Sequence, residues 1–212
     1  FYIVSKILRQ NCKIIWHNEF SISKVDCIIV PGGFSYGDYL RTGSIASQSR
    51  ISNALIKFAD RGGTVIGICN GFQILTELKL LPGTLVRNKN LKFICKDINL
   101  KVNKNSRFTN LYNNNEVIRI PIAHAEGNYY ADKKTLKKLK DNDQIIFSYC
   151  NKNGDITKES NPNGSLLNIA GITNKKGNVI GLMPHPERVS EKVFNNTDGI
   201  KFFKSVVNYH NY

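Results

Sequence analysis

Short β-branched runs alternate with amphipathic segments along this chain, and that alternation predicts an α/β fold: a single domain with a largely parallel central sheet flanked by helices. Three observations carry the prediction. Cys27–Val30, residues 62–68 and residues 179–183 are brief apolar runs bounded by Gly or Pro, as buried strands are. Residues 47–60 place Ile51, Leu55 and Phe58 on one side at helical spacing, and residues 200–209 do the same with Phe202, Phe203, Val206 and Val207. The length of 212 residues suits one well-buried core and argues against two.

In chain order, residues 13–16 read as a strand and Cys27–Val30 as the next. The 47–60 helix ends at Gly62-Gly63, and the run 62–68 follows as a buried strand. Phe72, Ile74, Leu75 and Leu78 then mark a helix. Residues 91–102, 117–122 and Ile145–Cys150 read as strands. Between the last two lies a lysine-rich helix, with Leu136 and Leu139 among five lysines and Asp132 as its cap. A polar, Gly-containing loop or hairpin at 151–165 leads to strands at 168–173 and 179–183, and the 200–209 helix closes the chain.

Composition excludes several classes. No run approaches the ~18 apolar residues of a membrane span. The five cysteines, Cys12, Cys27, Cys69, Cys95 and Cys150, are odd in number and form no C-x-x-C pair, which favours reduced thiols in a cytoplasmic setting over a disulfide framework or a metal site. A net charge of +14 raises the question of nucleic acid. Of the 30 basic residues, however, 22 are lysine and are spread among asparagines and isoleucines, whereas phosphate-reading surfaces favour arginine and stacked aromatics. Nucleic-acid binding is therefore not expected.

The chemistry centres on Gly67-Ile68-Cys69-Asn70-Gly71, a cysteine between two glycines where a strand runs into a helix. Such a turn strains the residue at its tip and lifts the side chain clear of the sheet, provided the positions two residues away carry no bulk. The helix start directs N–H groups and a positive dipole end at the sulfur, favouring thiolate. The alternative is a buried cysteine at a strand end. Pro184-His185-Pro186-Glu187 supplies a base and an orienter: His185 to take the thiol proton, and Glu187, on the same side of an extended stretch, to fix the imidazole. Pro31-Gly32-Gly33 closes a third apolar run, where the N–H of Gly33, with that of Asn70, can face a developing oxyanion; an ordinary turn is the other reading.

Four segments, residues 30–46, 67–77, 123–129 and 181–191, resemble the glutaminase subunit of phosphoribosylformylglycinamidine synthase, a triad-type (class I) glutamine amidotransferase. G-x-C-x-G with a later H-x-E suggests only the superfamily. The strings GGFSYGDYLRTG, GICNGFQ and AHAEGNY are similar to this one subfamily. The resemblance implies catalytic Cys69, His185 and Glu187, an oxyanion hole at Gly33 and Asn70, and Gln73 as a glutamine-site residue whose other reading is core or helix surface. It locates His124 to Gly127 near the site without a catalytic role, and a hydrogen-bonded structural histidine fits His124 equally well.

By the same resemblance, glutamine is hydrolysed through a cysteine thioester. The ammonia feeds a large synthetase subunit, with a small third subunit as a further partner. The chain itself needs no cofactor or metal, since ATP and magnesium belong to the synthetase subunit and no G-x-x-x-x-G-K-[ST] loop is present. Residues 1–212 are then one amidotransferase domain. Members of the family begin with an apolar strand and a Gly-containing loop, whereas this chain opens at Phe1-Tyr2-Ile3-Val4. The expectation is a domain short of its first strand at the N-terminus, by about 15 to 20 residues. Two other readings fit the same residues: a class I amidotransferase with a different acceptor, and a catalytically silent fragment acting only as an interaction module.

Overall fold

The computed structural model describes residues 1–211, and its elements follow the expected alternation. They are β1 (Cys27–Val30), α1 (Ser52–Asp60), β2 (Thr64–Ile68), α2 (Asn70–Glu77), β3 (Thr84–Val86), β4 (Ile94–Val102), β5 (Val117–His124), β6 (Asn128–Tyr130), α3 (Lys133–Asp141), β7 (Ile145–Cys150), β8 (Ile169–Thr173), β9 (Val179–Leu182) and α4 (Ile200–His210). Seven strands form one sheet in the order β1-β2-β9-β8-β7-β4-β5, and β3 pairs with β6 in a separate ribbon.

The class is α/β as predicted, but the sheet is mixed rather than largely parallel. Only β1–β2 and β2–β9 pair in parallel, and the four remaining ladders are antiparallel. Connection length explains this. The turn between β8 and β9 spans residues 174–178, too short for the crossover a parallel pair needs, whereas α1 carries the chain from β1 back to β2. The parallel part is the part that matters for chemistry, because the carboxyl ends of β1, β2 and β9 lie side by side.

Residues 13–16 are not a strand. Ile14 and Trp16 are exposed, and no described residue pairs with them; β1 is the terminal strand of the sheet on that side. An apolar alternation with no neighbouring ladder has nothing to satisfy its backbone groups. The 47–60 helix also starts late. A short 3₁₀ turn at Ala46–Gln48 ends at Ser49 in extended backbone, and α1 begins at Ser52.

The lysine-rich helix forms as read. Asp132 caps it by accepting the Thr135 N–H at 2.8 Å, its five lysines are exposed, and Leu139 is buried. The sheet strands bury Ile66, Leu100, Ile120, Ile122 and Phe147 in one continuous core with α2 and α4. Phe202 of α4 stacks on Phe108 at 6.4 Å between ring centroids and tilts against Phe147.

Asn178, in the β8–β9 turn, ties the sheet to α1. It is fully buried, and its Nδ2 donates to the carbonyls of Ala59 and Gly63, each at 2.8 Å. Asn178→Ala removes both bonds, with the Ala59 carbonyl still accepting the Gly62 N–H at 3.0 Å. The expected cost is about 2 kcal/mol, read as a lowered urea midpoint with an unchanged m-value.

Candidate active site

Cys69 sits where β2 meets α2, with φ 50° and ψ −106°, a strained backbone for a non-glycine residue. Two hydrogen bonds hold it there. Its N–H donates to the Leu182 carbonyl of β9 at 2.7 Å, and its carbonyl accepts the Gln73 N–H at 3.2 Å. The flanking glycines are required by contact. A Cβ on Gly67 would come within 2.7 Å of the Gly71 backbone and within 2.6 Å of Leu75, and one on Gly71 would strike the Val30 carbonyl. The elbow read from the sequence is thus present in its geometry.

His185 follows β9 and is buried, its N–H donating to the Pro121 carbonyl of β5 at 2.8 Å. Its Nδ1 lies 2.6 Å from Glu187 Oε1. The contact is made by a different geometry from the one expected. Pro186–Val189 form a 3₁₀ turn that curls Glu187 back on the ring, in place of an extended stretch. A carboxylate on Nδ1 fixes the proton there and leaves Nε2 free, and that nitrogen is buried without a partner.

Gly32 lies between the two groups. A Cβ built on it would be 2.8 Å from His185 Cε1 and 3.5 Å from Cys69 Cβ, so the cysteine and the imidazole flank one glycine. The thiol does not bond to His185; it points to the Ala123 carbonyl at 3.7 Å. Burial pushes its pKa up to about 12; the Asn70 N–H opposes the shift, Glu187 and Asp38 add to it and Arg188 opposes it. The expectation that the helix start favours thiolate is therefore outweighed by desolvation. The resting group is a thiol.

The other expected site residues fall around this pair. The Asn70 N–H faces the sulfur, and Gly33 follows Gly32 with open space where a side chain would stand. Ser35 N–H donates to Asn70 Oδ1 at 3.3 Å, which ties the Pro-Gly-Gly turn to α2. Gln73 is buried, and protein groups engage both ends of its carboxamide: Asn70 Nδ2 donates to Oε1 at 3.0 Å, and Nε2 donates to the Glu126 carbonyl at 2.6 Å.

Sequence reasoning singled out neither of two residues that build the walls, Thr42 and Asn88. Thr42 Oγ1 donates to Glu126 Oε2 at 2.6 Å, closing the 34–43 loop over the elbow. Asn88 reaches His124 and Gly127 across 36 and 39 residues. The strings GGFSYGDYLRTG and AHAEGNY pointed to the region, but nothing in the first singles out Thr42, and no local pattern marks Asn88. Among the described residues, no group of three or more His, Cys, Asp or Glu is arranged to hold a metal ion, and no helix is long and apolar enough to cross a membrane. All five cysteines are free.

Two pH effects follow. Iodoacetamide should modify Cys69 far more slowly between pH 7 and 9 than it modifies exposed Cys95, as read by peptide mass mapping; a Cys69 rate that plateaus near neutral pH contradicts a buried thiol. Burial, reinforced by His185, lowers the His124 pKa from 6.5 to about 4. The unfolded chain then binds a proton below pH 6.5 that the folded chain refuses. Stability should fall as pH drops from about 6.5 to 4, by roughly 3 kcal/mol in all, and His124→Gln should remove that slope in urea titrations.

With the geometry in place, the comparisons are specific. The family model described as CobB/CobQ-like glutamine amidotransferase domain matches residues 4–210. The phosphoribosylformylglycinamidine synthase subunit PurQ of Moorella thermoacetica is 53% identical over 98% of this chain and 89% of its own length. Its counterpart from Alkaliphilus metalliredigens is 54% identical over 99% and 89%. A chain in the structure of PurLQS from Thermotoga maritima superposes with a TM-score of 0.78 at 44% identity, covering 90% of this chain and 82% of that one. The chain belongs to the CobB/CobQ-like glutamine amidotransferase family, within the branch of the phosphoribosylformylglycinamidine synthase glutaminase subunits.

Proposed function

We propose that Cys69, His185 and Glu187 hydrolyse glutamine to glutamate and ammonia through a cysteine thioester. The observation that carries this reading is the strained elbow cysteine, set across Gly32 from an imidazole whose far nitrogen is held by a carboxylate at 2.6 Å. The chain is the glutaminase component that supplies ammonia for purine biosynthesis.

The thiol turns from the Ala123 carbonyl toward His185. The imidazole Nε2 takes the thiol proton as Sγ bonds to the carboxamide carbon. Concerted transfer suits a thiol with a pKa near 12, because no isolated thiolate has to form in the buried site. Glu187 stabilises the imidazolium. The carboxamide oxygen becomes an oxyanion held by the N–H groups of Asn70 and Gly33. His185 then protonates the nitrogen, the C–N bond breaks and ammonia leaves. A water molecule, deprotonated by the same imidazole, attacks the thioester, and glutamate departs with the thiol restored.

Gln73 contributes by bracing: its two hydrogen bonds join the first turn of α2 to the 124–127 turn and set the wall against which glutamine lies. Residues 1–212 act as one amidotransferase domain. The named relatives are subunits of phosphoribosylformylglycinamidine synthase, and the neighbouring structure is of PurLQS. On that basis the ammonia passes to a large synthetase subunit, which binds the ATP and magnesium of the amidation, and a small third subunit completes the assembly. A reduced, cytoplasmic setting fits five free cysteines, one of them the nucleophile.

The test is glutaminase activity of the chain assembled with its synthetase subunit. Cys69→Ala should abolish glutamate release while leaving the fold intact by circular dichroism. Glu187→Gln should lower kcat by about 10²- to 10⁴-fold, since it loosens the imidazole without removing it. Hydrolysis that survives Cys69→Ala overturns the mechanism.

A further inference from the structure

The contact between Glu187 and His185 depends on a 3₁₀ turn of four residues, Pro186–Val189. Short 3₁₀ turns have poor internal hydrogen-bond geometry, so one that fixes a carboxylate 2.6 Å from an imidazole needs support from outside. Both ends of this turn have it. At its first residue, the Pro186 carbonyl accepts the Ser190 hydroxyl at 2.7 Å, and Ser190 is buried. At its last, the Val189 carbonyl accepts the Gly199 N–H at 2.9 Å. Gly199, which precedes α4, also lies against the turn directly: a Cβ there would collide with the Pro186 carbonyl.

Gly199 is itself placed by β5. Asp198 Oδ2 accepts the Arg119 N–H at 2.8 Å, and Asn196 Nδ2 donates to the Arg119 carbonyl at 2.7 Å. β5 is the terminal strand of the sheet, so the backbone groups on its outer side have no ladder to join. Arg119 offers its groups to the 196–198 segment, and Pro121, two residues on, gives its carbonyl to the His185 N–H at 2.8 Å. One strand edge therefore grips the histidine at residue 121. At residue 119 the same edge grips, through Asp198 and Gly199, the turn that carries the carboxylate. The placement of Glu187 relative to the ring is set by two peptide groups on one strand.

We propose that Ser190 and Asp198 are positioning residues that brace the Pro186–Val189 turn, so that Glu187 stays on His185 Nδ1 and the Nε2 lone pair is kept for the thiol proton. This rests on the reading of Cys69, His185 and Glu187 as the hydrolytic groups. Neither brace is used by the reaction itself; each acts through the turn. With one of them gone, the carboxylate is no longer fixed against the ring, and the imidazole is free to change tautomer and to rotate. The loss falls on the proton-transfer steps, and so on kcat.

A proton in a short bond between imidazole and carboxylate resonates far downfield, which reads the brace without reference to activity. In the full chain, Ser190→Ala and Asp198→Ala should each move the His185 Nδ1 proton resonance upfield, the signal being identified by its absence from His185→Gln protein. In the chain assembled with its synthetase subunit, each should lower kcat for glutamine by roughly 10- to 100-fold and change KM by less than about 3-fold. Asp198→Asn keeps an oxygen to accept the Arg119 N–H and should recover most of both readouts. Asn178→Ala is the control for lost stability alone. It removes two buried hydrogen bonds at the opposite end of β9 and should leave the resonance and kcat at their wild-type values. A downfield signal that is absent from the wild-type chain or unmoved in either alanine variant overturns the proposal, as does a kcat loss no larger than that of Asn178→Ala. Hydrolysis that persists in Cys69→Ala overturns instead the reading of the three hydrolytic groups.

Discussion

Everything at this site depends on four backbones approaching one another more closely than side chains permit. The chain has to bring the ends of β1, β2 and β9 against the start of α2, and each contact is made through a glycine. Gly67 meets Gly71, Gly71 meets the Val30 carbonyl, Gly181 meets Phe72, and Gly32 meets the His185 ring. The clearance fixes more than distance. It allows the Leu182 carbonyl and the first turn of α2 to grip Cys69 from both sides, and that grip sustains a φ of 50° at a residue with a side chain. A methyl group at Gly67 or Gly71 would meet backbone on the far side, and one at Gly32 would meet the His185 ring and the Cys69 Cβ themselves.

The same close packing sets the electrostatics. Reactive cysteines are commonly exposed and poised as thiolates, whereas this one is buried and held as a thiol, with Glu187 and Asp38 both opposing ionisation. In the proposed mechanism the free energy of separating charge is met inside the reaction, by moving the proton to His185 as the S–C bond forms. The net charge of +14 has little to do with it. Near the site the basic groups stand opposite acids, Arg41 with Glu77, Arg87 with Glu126 and Arg188 with Glu187, while the lysines of α3 face solvent elsewhere.

Elements whose stability is local were readable in the sequence. The Asp132 cap, the α3 stripe, α4 and the elbow each depend on residues within a few positions of one another. The misreadings share a cause. Residues 13–16 have the right residue types for a strand but no ladder to join, and the β3–β6 ribbon pairs two three-residue segments too short to show a period. Strand direction was set by connection length, which outweighed the parallel pattern suggested by the buried runs near the elbow. At the site, cysteine, histidine and carboxylate were legible because their chemistry demands a residue type at a spacing. Asn88 was not, since an asparagine that orients a distant imidazole leaves no mark on its neighbours.

The 34–43 loop shows how a mobile-looking segment can be firmly placed. Tyr36, Asp38 and Leu40 all have positive φ, and Phe34, Tyr36, Tyr39 and Leu40 are exposed, so the loop has little packing of its own. Its ends are nevertheless pinned to the elbow helix and the 124–127 turn. Ser35 bonds Asn70, Arg41 makes two hydrogen bonds to Glu77 at 2.7 and 2.6 Å, and Thr42 bonds Glu126. Glu126 also presents its backbone to Gln73, so the loop, the elbow helix and the turn that carries His124 form one hydrogen-bonded frame. Displacing either end of the loop would pull on Asn70 or Glu126, and so on the groups around Cys69.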